Sequence, residues 1–392
     1  MPIRHSALIL YAFALFGLSI SSISALDVKI GLEDSSIRNY ISANKNYGIF
    51  ELEGSELKQK LMQRIAQQET LLRFAKATAN KLVIASEPDL ATSSKTLLFS
   101  CNVKDPLHAD SDCIWSIRNA KASKNIKKYR GLLVIEPKAA SYTLINELDI
   151  EDYLKGVVPS EMPASWQAEA LKAQSVAART YTLSKLNRRK NLGYDLKPTV
   201  EDQVYLGVNH EDSRTNAAIK ASSGLVLMDK QRKPVEAYFF SQAGSSTATA
   251  SDVWGLEPHS YLRPQLIADN TKFWQKNFSR AQIQAKLADL KLENIDAINI
   301  LNRTAEGRVK DILISSANKH IKLTGEELRH KLGLRSTLFN IETTYTNLSF
   351  IGQGFGHGIG MSQYGAQHLA KKGKNFKEIL KFFYEGADLV KI

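Results

Sequence analysis

The chain has little sulfur to work with. Of its 392 residues only two are cysteine, Cys101 and Cys113. Two are too few for a disulfide scaffold or a four-cysteine zinc site. His108 lies between them, and no C-x-x-C or H-E-x-x-H is present, so metal ligation has no pattern to build on. There is no basic arm either: the 52 Lys and Arg residues are spread along the chain, for a net charge of +12. A basic balance suits any polyanionic surface. Nucleic-acid recognition would need a basic, aromatic-interleaved strand or helix, which is missing. Internal repeats and low-complexity tracts are absent. Hydrophobic residues at 43% and charged residues at 23% are ordinary globular values, which excludes a chiefly disordered chain and a multi-span membrane protein.

The N-terminus carries an address. Arg4 and His5 precede an apolar run from Ala7 to Ile20, followed by Ser21-Ser22-Ile23-Ser24-Ala25. At about 14 residues the run is short of the roughly 20 that a bilayer span needs. The pattern predicts a secretory signal peptide over residues 1–25. Left uncleaved, it would be a membrane anchor. Export would place the protein in the periplasmic or extracellular space, away from ATP and reduced nicotinamides. It also permits a Cys101–Cys113 disulfide around Pro106.

The mature chain reads as α+β, with mixed sheets, a long central helix and C-terminal helices. Residues 27–141 form an N-terminal α/β region of short strands. Within it Leu57, Leu61, Ile65 and Leu72 predict a helix over 55–79, and 120–130 reads as a solvated, Lys-rich loop. Residues 142–392 form the second region. A strand over 141–148 leads to a helical turn at 150–156, then to Val157-Val158-Pro159-Ser160-Glu161-Met162-Pro163 and a long helix over 164–187. Strands are expected at 224–228, 235–240, near 295–301 and at 309–315. Helices are expected at 279–290, 324–332, 362–372 and 375–384. Asn375 and Glu378 have the spacing of a capping box.

Two constellations carry chemistry. Glu161 lies between two prolines among Val157, Val158 and Met162. Apolar surroundings raise a carboxyl pKa, which suits a general acid. The long helix places Glu169 in its apolar face and Arg179 at that face's edge; buried charges must be paired. Arg179 therefore reads as part of a structural ion pair, or as a contact to substrate or to the Glu161 carboxylate. The second constellation runs from Gly352 to Gly365, with glycine at every second position from 352 to 360. In a strand this would strip one face of side chains and leave Gln353, Phe355, His357 and Ile359 on the other. No register fits G-x-G-x-x-G or a phosphate loop, and no G-x-S-x-G nucleophile elbow is present.

The run Asn146 to Pro163, its continuation Glu169 to Tyr181, Asp202-Gln203-Val204-Tyr205-Leu206-Gly207, Tyr238 to Gly244, Ser251 to Gly255 and the glycine segment to Gly365 together resemble the SpoIID/LytB domain family. They occur in family order across 142–392, which the resemblance identifies as a catalytic-type domain. The resemblance implies lytic transglycosylation: cleavage of peptide-free peptidoglycan glycan between N-acetylmuramic acid and N-acetylglucosamine, in sporulation or cell division. The catalytic glutamate falls on Glu161 and the motif arginine on Arg179. Substrate contacts are assigned to Gln174, Tyr205, Ser241, Tyr261, His357 and Gln363. Residues 199–208 hold neither Cys nor His, so no zinc and no other cofactor is expected. The implied partners are glycan strands and a cell-wall amidase, not nucleic acid. One carboxyl group suffices if the sugar's own C6 hydroxyl is the nucleophile, whereas water-using glycosidases need a pair. A water-using muramidase would draw its second carboxylate from Asp202, Asp252 or Glu169. A non-catalytic amidase enhancer, binding glycan without cutting it, is the other reading.

Overall fold

The computed structural model describes residues 26–392 except 36–38, 54–57, 66–67, 76–80, 87–88, 94, 120–122, 140 and 268–272. The expected signal segment lies outside the described residues. Among these, three large hydrophobic cores organise an α+β chain.

The first core belongs to the N-terminal part. Up to Asp149, the described residues form strands and no helix. One six-stranded sheet has the order Asp27–Ser35, Tyr142–Asp149, Leu132–Pro137, Leu97–Ser100, Tyr47–Glu53, Lys58–Ile65. A second has the order Lys127–Tyr129, Trp115–Arg118, Asn39–Ala43, Thr70–Ala75, Lys81–Ser86, Asp89–Ser93. Their apolar faces meet around Tyr47, Phe99 and Trp115, with Trp115 edge-on to both rings. Cys101 and Cys113 are joined as a disulfide.

The α/β expectation for this region is therefore corrected to β among the described residues. The helix expected over 55–79 is replaced by the strands Lys58–Ile65 and Thr70–Ala75. An interval of four is close to a helical turn but, being even, also suits one face of a regular strand, so the spacing alone does not separate the two. In the strand itself a register shift at Ile49 and Phe50 leaves Leu61 exposed and Ile65 buried. Lys58–Ile65 finds an antiparallel partner in Tyr47–Glu53, and this tertiary pairing overrides local helix tendency. The Lys-rich segment likewise contains a short strand, Lys127–Tyr129, because it pairs with Trp115–Ile117.

The Tyr142–Asp149 strand runs directly into helix α1, Ile150–Glu161. Asp149 caps it by accepting the Glu151 and Asp152 N–H groups. The expected short turn thus extends to Glu161, with Pro159 inside it. The carbonyls near this proline keep partners: Ser160 Oγ donates to Gly156 and Met162 N–H to Val158. The apolar face of α1, with Tyr153, Leu154 and Val157, seals the first core.

Helix α2, Ala168–Lys185, is central. Alanine is the strongest helix former, and buried Ala170, Ala173, Ala177 and Ala178 let neighbours approach closely. Those neighbours are α1 and three further helices: α3 (Ser213–Ala221), α7 (Gln363–Lys371) and α8 (Phe376–Phe383). Glu169 is half-buried rather than set in the apolar face. It pairs with Lys172 and accepts the Phe376 N–H at the start of α8. The second core fills the space between α2, α7, α8 and the chain near Phe240 and Met361. Helix α4 (Ala250–Trp254) lies at its edge.

The third core belongs to a unit inserted between Ile267 and the glycine segment. Two three-stranded sheets carry helices α5 (Arg280–Lys286) and α6 (Gly325–Leu332) around Ile312, Leu328 and Phe350. The expected 235–240 strand is only Phe239–Phe240, paired in parallel with Met361–Ser362.

The alternating glycines do not form a strand. Strand Asn347–Gly352 ends where they begin, and Gly354, Gly356, Gly358 and Gly360 take φ of +76°, +107°, +91° and +76°. Every second residue is in the left-handed region that favours glycine. The alternation therefore records backbone conformation, not a bare face. Close approach remains: a Cβ on Gly358 would run into the guanidinium of Arg308. That guanidinium is buried and donates to the Ala243 and Ser246 carbonyls, tying the inserted unit to the second core.

Candidate active site

Glu161 is the last residue of α1. Its Oε1 accepts the backbone N–H of Val204 at 2.9 Å, and its Oε2 accepts Gln363 Nε2 at 3.3 Å. Three segments distant in sequence thus hold one carboxyl group. The Val204 segment is fixed to α2, since Gln203 donates to the Ala178 carbonyl and accepts from Thr182. Gln363 opens α7, whose N-cap Ser362 accepts the Gly365 N–H. Burial raises the Glu161 pKa above its ordinary value, and the two hydrogen bonds offset only part of that rise. The arrangement is a protonatable acid held by neutral donors.

Arg179 is placed elsewhere. Its side chain is 1% exposed, and its Nε and Nη2 each donate to Glu151 at 2.7 Å. Its Nη1 donates to the Ser222 and Leu225 carbonyls. Glu151 lies in the first turn of α1, about 15 Å along the helix from Glu161 at 1.5 Å per residue. The expected contact between Arg179 and Glu161 is not made. A buried guanidinium needs a carboxylate and carbonyls to replace water, and Glu151 with the end of α3 supplies them.

Gln363 is the expected site residue that touches Glu161. Ser241 is close through its backbone, its carbonyl accepting the Tyr364 N–H at 3.0 Å. Gln174 is fully buried, and its amide has no partner among the described residues. The other three are engaged in the fold. The Tyr205 hydroxyl donates to Asn146, with its ring against Tyr129 and Tyr153. The Tyr261 hydroxyl accepts the Glu236 N–H. His357 accepts the Ile359 N–H at Nδ1, which leaves Nε2 to donate to the Phe239 carbonyl. Burial foremost, with Arg329 and Arg308 nearby, pushes its pKa down to about 3, so the ring is neutral.

Sequence reading missed three participants. The Val204 N–H is a backbone donor and leaves no mark in a side-chain pattern. Trp166 and Tyr364 meet edge-on with centroids 4.8 Å apart, and Tyr364 is 45% exposed. Tyr364 follows Gln363 directly in the chain. Aromatic rings with one wet side suit the apolar faces of sugars.

A cleft of about 610 Å³ lies nearby, lined by Tyr181, Ser184, Lys185, Arg188, Glu201, Glu236, Tyr238, Trp254 and Leu256. Two links connect it to Glu161. The Tyr181 hydroxyl donates to Asp202 at 3.3 Å, two residues before Val204. Tyr238 precedes the Phe239–Phe240 strand, whose partner Met361–Ser362 leads into Gln363. Among the described residues, no three His, Cys, Asp or Glu side chains are grouped to hold a metal ion. No helix there is long and apolar enough to cross a membrane.

Comparison with known proteins matches these residues. The family described as Stage II sporulation protein covers residues 138–228, which include α1, α2 and the Val204 segment. A domain of unknown function covers 268–360, most of the inserted unit. Stage II sporulation protein D of Bacillus amyloliquefaciens is 31% identical over 299 residues, 70% of this chain and 83% of that protein. Its Bacillus subtilis counterpart is 32% identical over 265 residues, 62% of this chain and 75% of that protein. The amidase enhancer of Bacillus subtilis is 30% identical over 289 residues, but this chain spans only 40% of its length. With three quarters or more of two sporulation proteins covered and the Glu161 segment inside the family match, this chain belongs to the stage II sporulation protein D family.

Proposed function

We propose that the protein is an exported lytic transglycosylase that cuts peptide-free peptidoglycan glycan between N-acetylmuramic acid and N-acetylglucosamine. The observation that carries this reading is the carboxyl group of Glu161, its pKa raised by burial and its two oxygens held by neutral donors, the Val204 N–H and the Gln363 amide. In the first step protonated Glu161 gives its proton to the glycosidic oxygen as the bond from C1 breaks. In the second, the C6 hydroxyl of the same muramic acid attacks C1, and the Glu161 carboxylate takes the hydroxyl proton. The attack is intramolecular, so proximity replaces a positioned water. Val204 N–H and Gln363 hold the carboxylate between the steps, and Trp166 with Tyr364 offers rings to the sugar. Arg179 acts on this chemistry only by fixing α1 to α2 and α3.

Mass analysis of products from peptide-free strands tests the proposal. Ends in 1,6-anhydro-muramic acid, lighter by one water than hydrolysed ends, are expected. Reducing muramic acid ends would mean hydrolysis and a second carboxylate. Intact glycan together with stimulation of a wall amidase would favour the amidase-enhancer reading that one relative's name suggests.

A further inference from the structure

The cleft lined by Tyr181 and Tyr238, linked to Glu161 through Asp202 and Val204, contains two cations in different situations. Lys185 is taken: its side chain is 7% exposed, it is bonded to Glu236, and it lies 5.3 Å from the ring centres of both Tyr181 and Tyr238. Arg188 is not. Its side chain is 53% exposed, and its contact with Asp202 is 3.5 Å long, beyond an ordinary charge-assisted bond of about 2.7–2.9 Å. Asp202 takes its short bond, 2.7 Å, from Arg189 instead. It also accepts the Lys197 N–H and the Tyr181 hydroxyl. Glu201, the other carboxylate on that rim, is drawn off by Lys197 at 2.7 Å. Arg188 therefore lines the cleft with donors to spare, in company with the rings of Tyr238 and Trp254.

We propose that Arg188 reads a carboxylate on the ligand: the lactyl carboxylate that a muramic acid exposes once its stem peptide has been removed. This rests on the glycan-cleaving reading above and adds a specificity residue to it. In a strand that still bears peptides the lactyl group is a neutral, bulky amide. In a peptide-free strand it is a small anion, which a guanidinium binds with two parallel hydrogen bonds. Asp202 lies two residues before Val204, at most about 7 Å along the backbone. Through Asp202 and Val204, Arg188 is therefore placed to sense a sugar of the same strand that reaches Glu161. The rings supply a surface indifferent to the lactyl group, and Arg188 supplies the discrimination.

The test uses binding, so that turnover does not enter. Two probes are titrated calorimetrically into the Glu161→Gln protein: a peptide-free glycan oligomer with free lactyl carboxylates, and the same oligomer with those groups converted to methylamides. The acid form is expected to bind about tenfold tighter, with the gap narrowing as salt is raised. Adding Arg188→Gln should bring the two probes level by weakening the acid form alone, and Arg188→Lys should keep part of the preference. Equal binding of both probes by the Glu161→Gln protein, a preference that survives Arg188→Gln, or no binding of either probe overturns the proposal. A preference without anhydro products from the wild-type protein would sink transglycosylation and leave Arg188 standing. Anhydro products without a preference would do the reverse.

Discussion

Helix α1 carries a carboxylate near each end, and the two are held in opposite ways. Glu151 meets a guanidinium fork, both oxygens bonded to Arg179 at 2.7 Å. Glu161 meets two neutral donors, a backbone N–H and an amide. At the first end, charge answers charge and the result is a strut joining α1, α2 and the end of α3. At the second, burial goes unanswered by any cation, so the group holds its proton to higher pH than a free glutamate. The difference separates an ion-paired carboxylate from a protonatable one on the same helix, and the proposed reading places the chemistry at the uncompensated end.

The largest expected effect tests the chemical end. Glu161→Gln is nearly isosteric and should lower glycan cleavage by about 10³-fold, within the range of general acid–base catalysis, while circular dichroism shows an unchanged fold. Product formation at the wild-type rate would remove Glu161 from the mechanism.

Next comes the structural end. Arg179→Met leaves the Glu151 carboxylate without its partner in a mostly buried setting and should cost about 3–5 kcal/mol, read from urea unfolding midpoints. A variant that keeps its midpoint but loses cleavage would return Arg179 to the chemistry and erase the contrast.

A smaller effect probes the loop that delivers Gln363 to Glu161. Gly358→Val must fit a side chain against the Arg308 guanidinium at a φ of +91°. Overpacking alone costs about 1–3 kcal/mol, so the melting temperature should drop. Unchanged melting would mean the inserted unit is not tied down through Arg308.

The finest test alters Glu161 through its neighbour. Gln363→Leu removes a donor that favours the carboxylate and lowers its pKa. The acid should then stay protonated to higher pH, and the alkaline limb of kcat/KM should move upward. A limb that stays in place would mean that the Gln363 bond does not govern the acid.

Much of this was legible from local pattern. The long helix α2, the helical start of α1 and the capping box at Asn375 and Glu378 could be read because helix period and caps act within a few residues. The glycine alternation was visible but misread. Periodicity two is also what alternating left-handed turns produce, and only the backbone angles separate the two. The Leu57–Leu61–Ile65 spacing failed in a related way, because an interval of four belongs to both helix and strand.

Sequence by itself determined the composition class, the central alanine-rich helix, a proline-flanked carboxyl group and the motifs that mark the family, all features carried by neighbouring residues. Only the tertiary structure decided what each charged group meets. The donors to Glu161 come from 43 and 202 positions away, and the partner of Arg179 from 28. Pairings over such distances are set by how three cores pack, and no local pattern encodes them. Whether an acid keeps its proton depends on those partners and on burial.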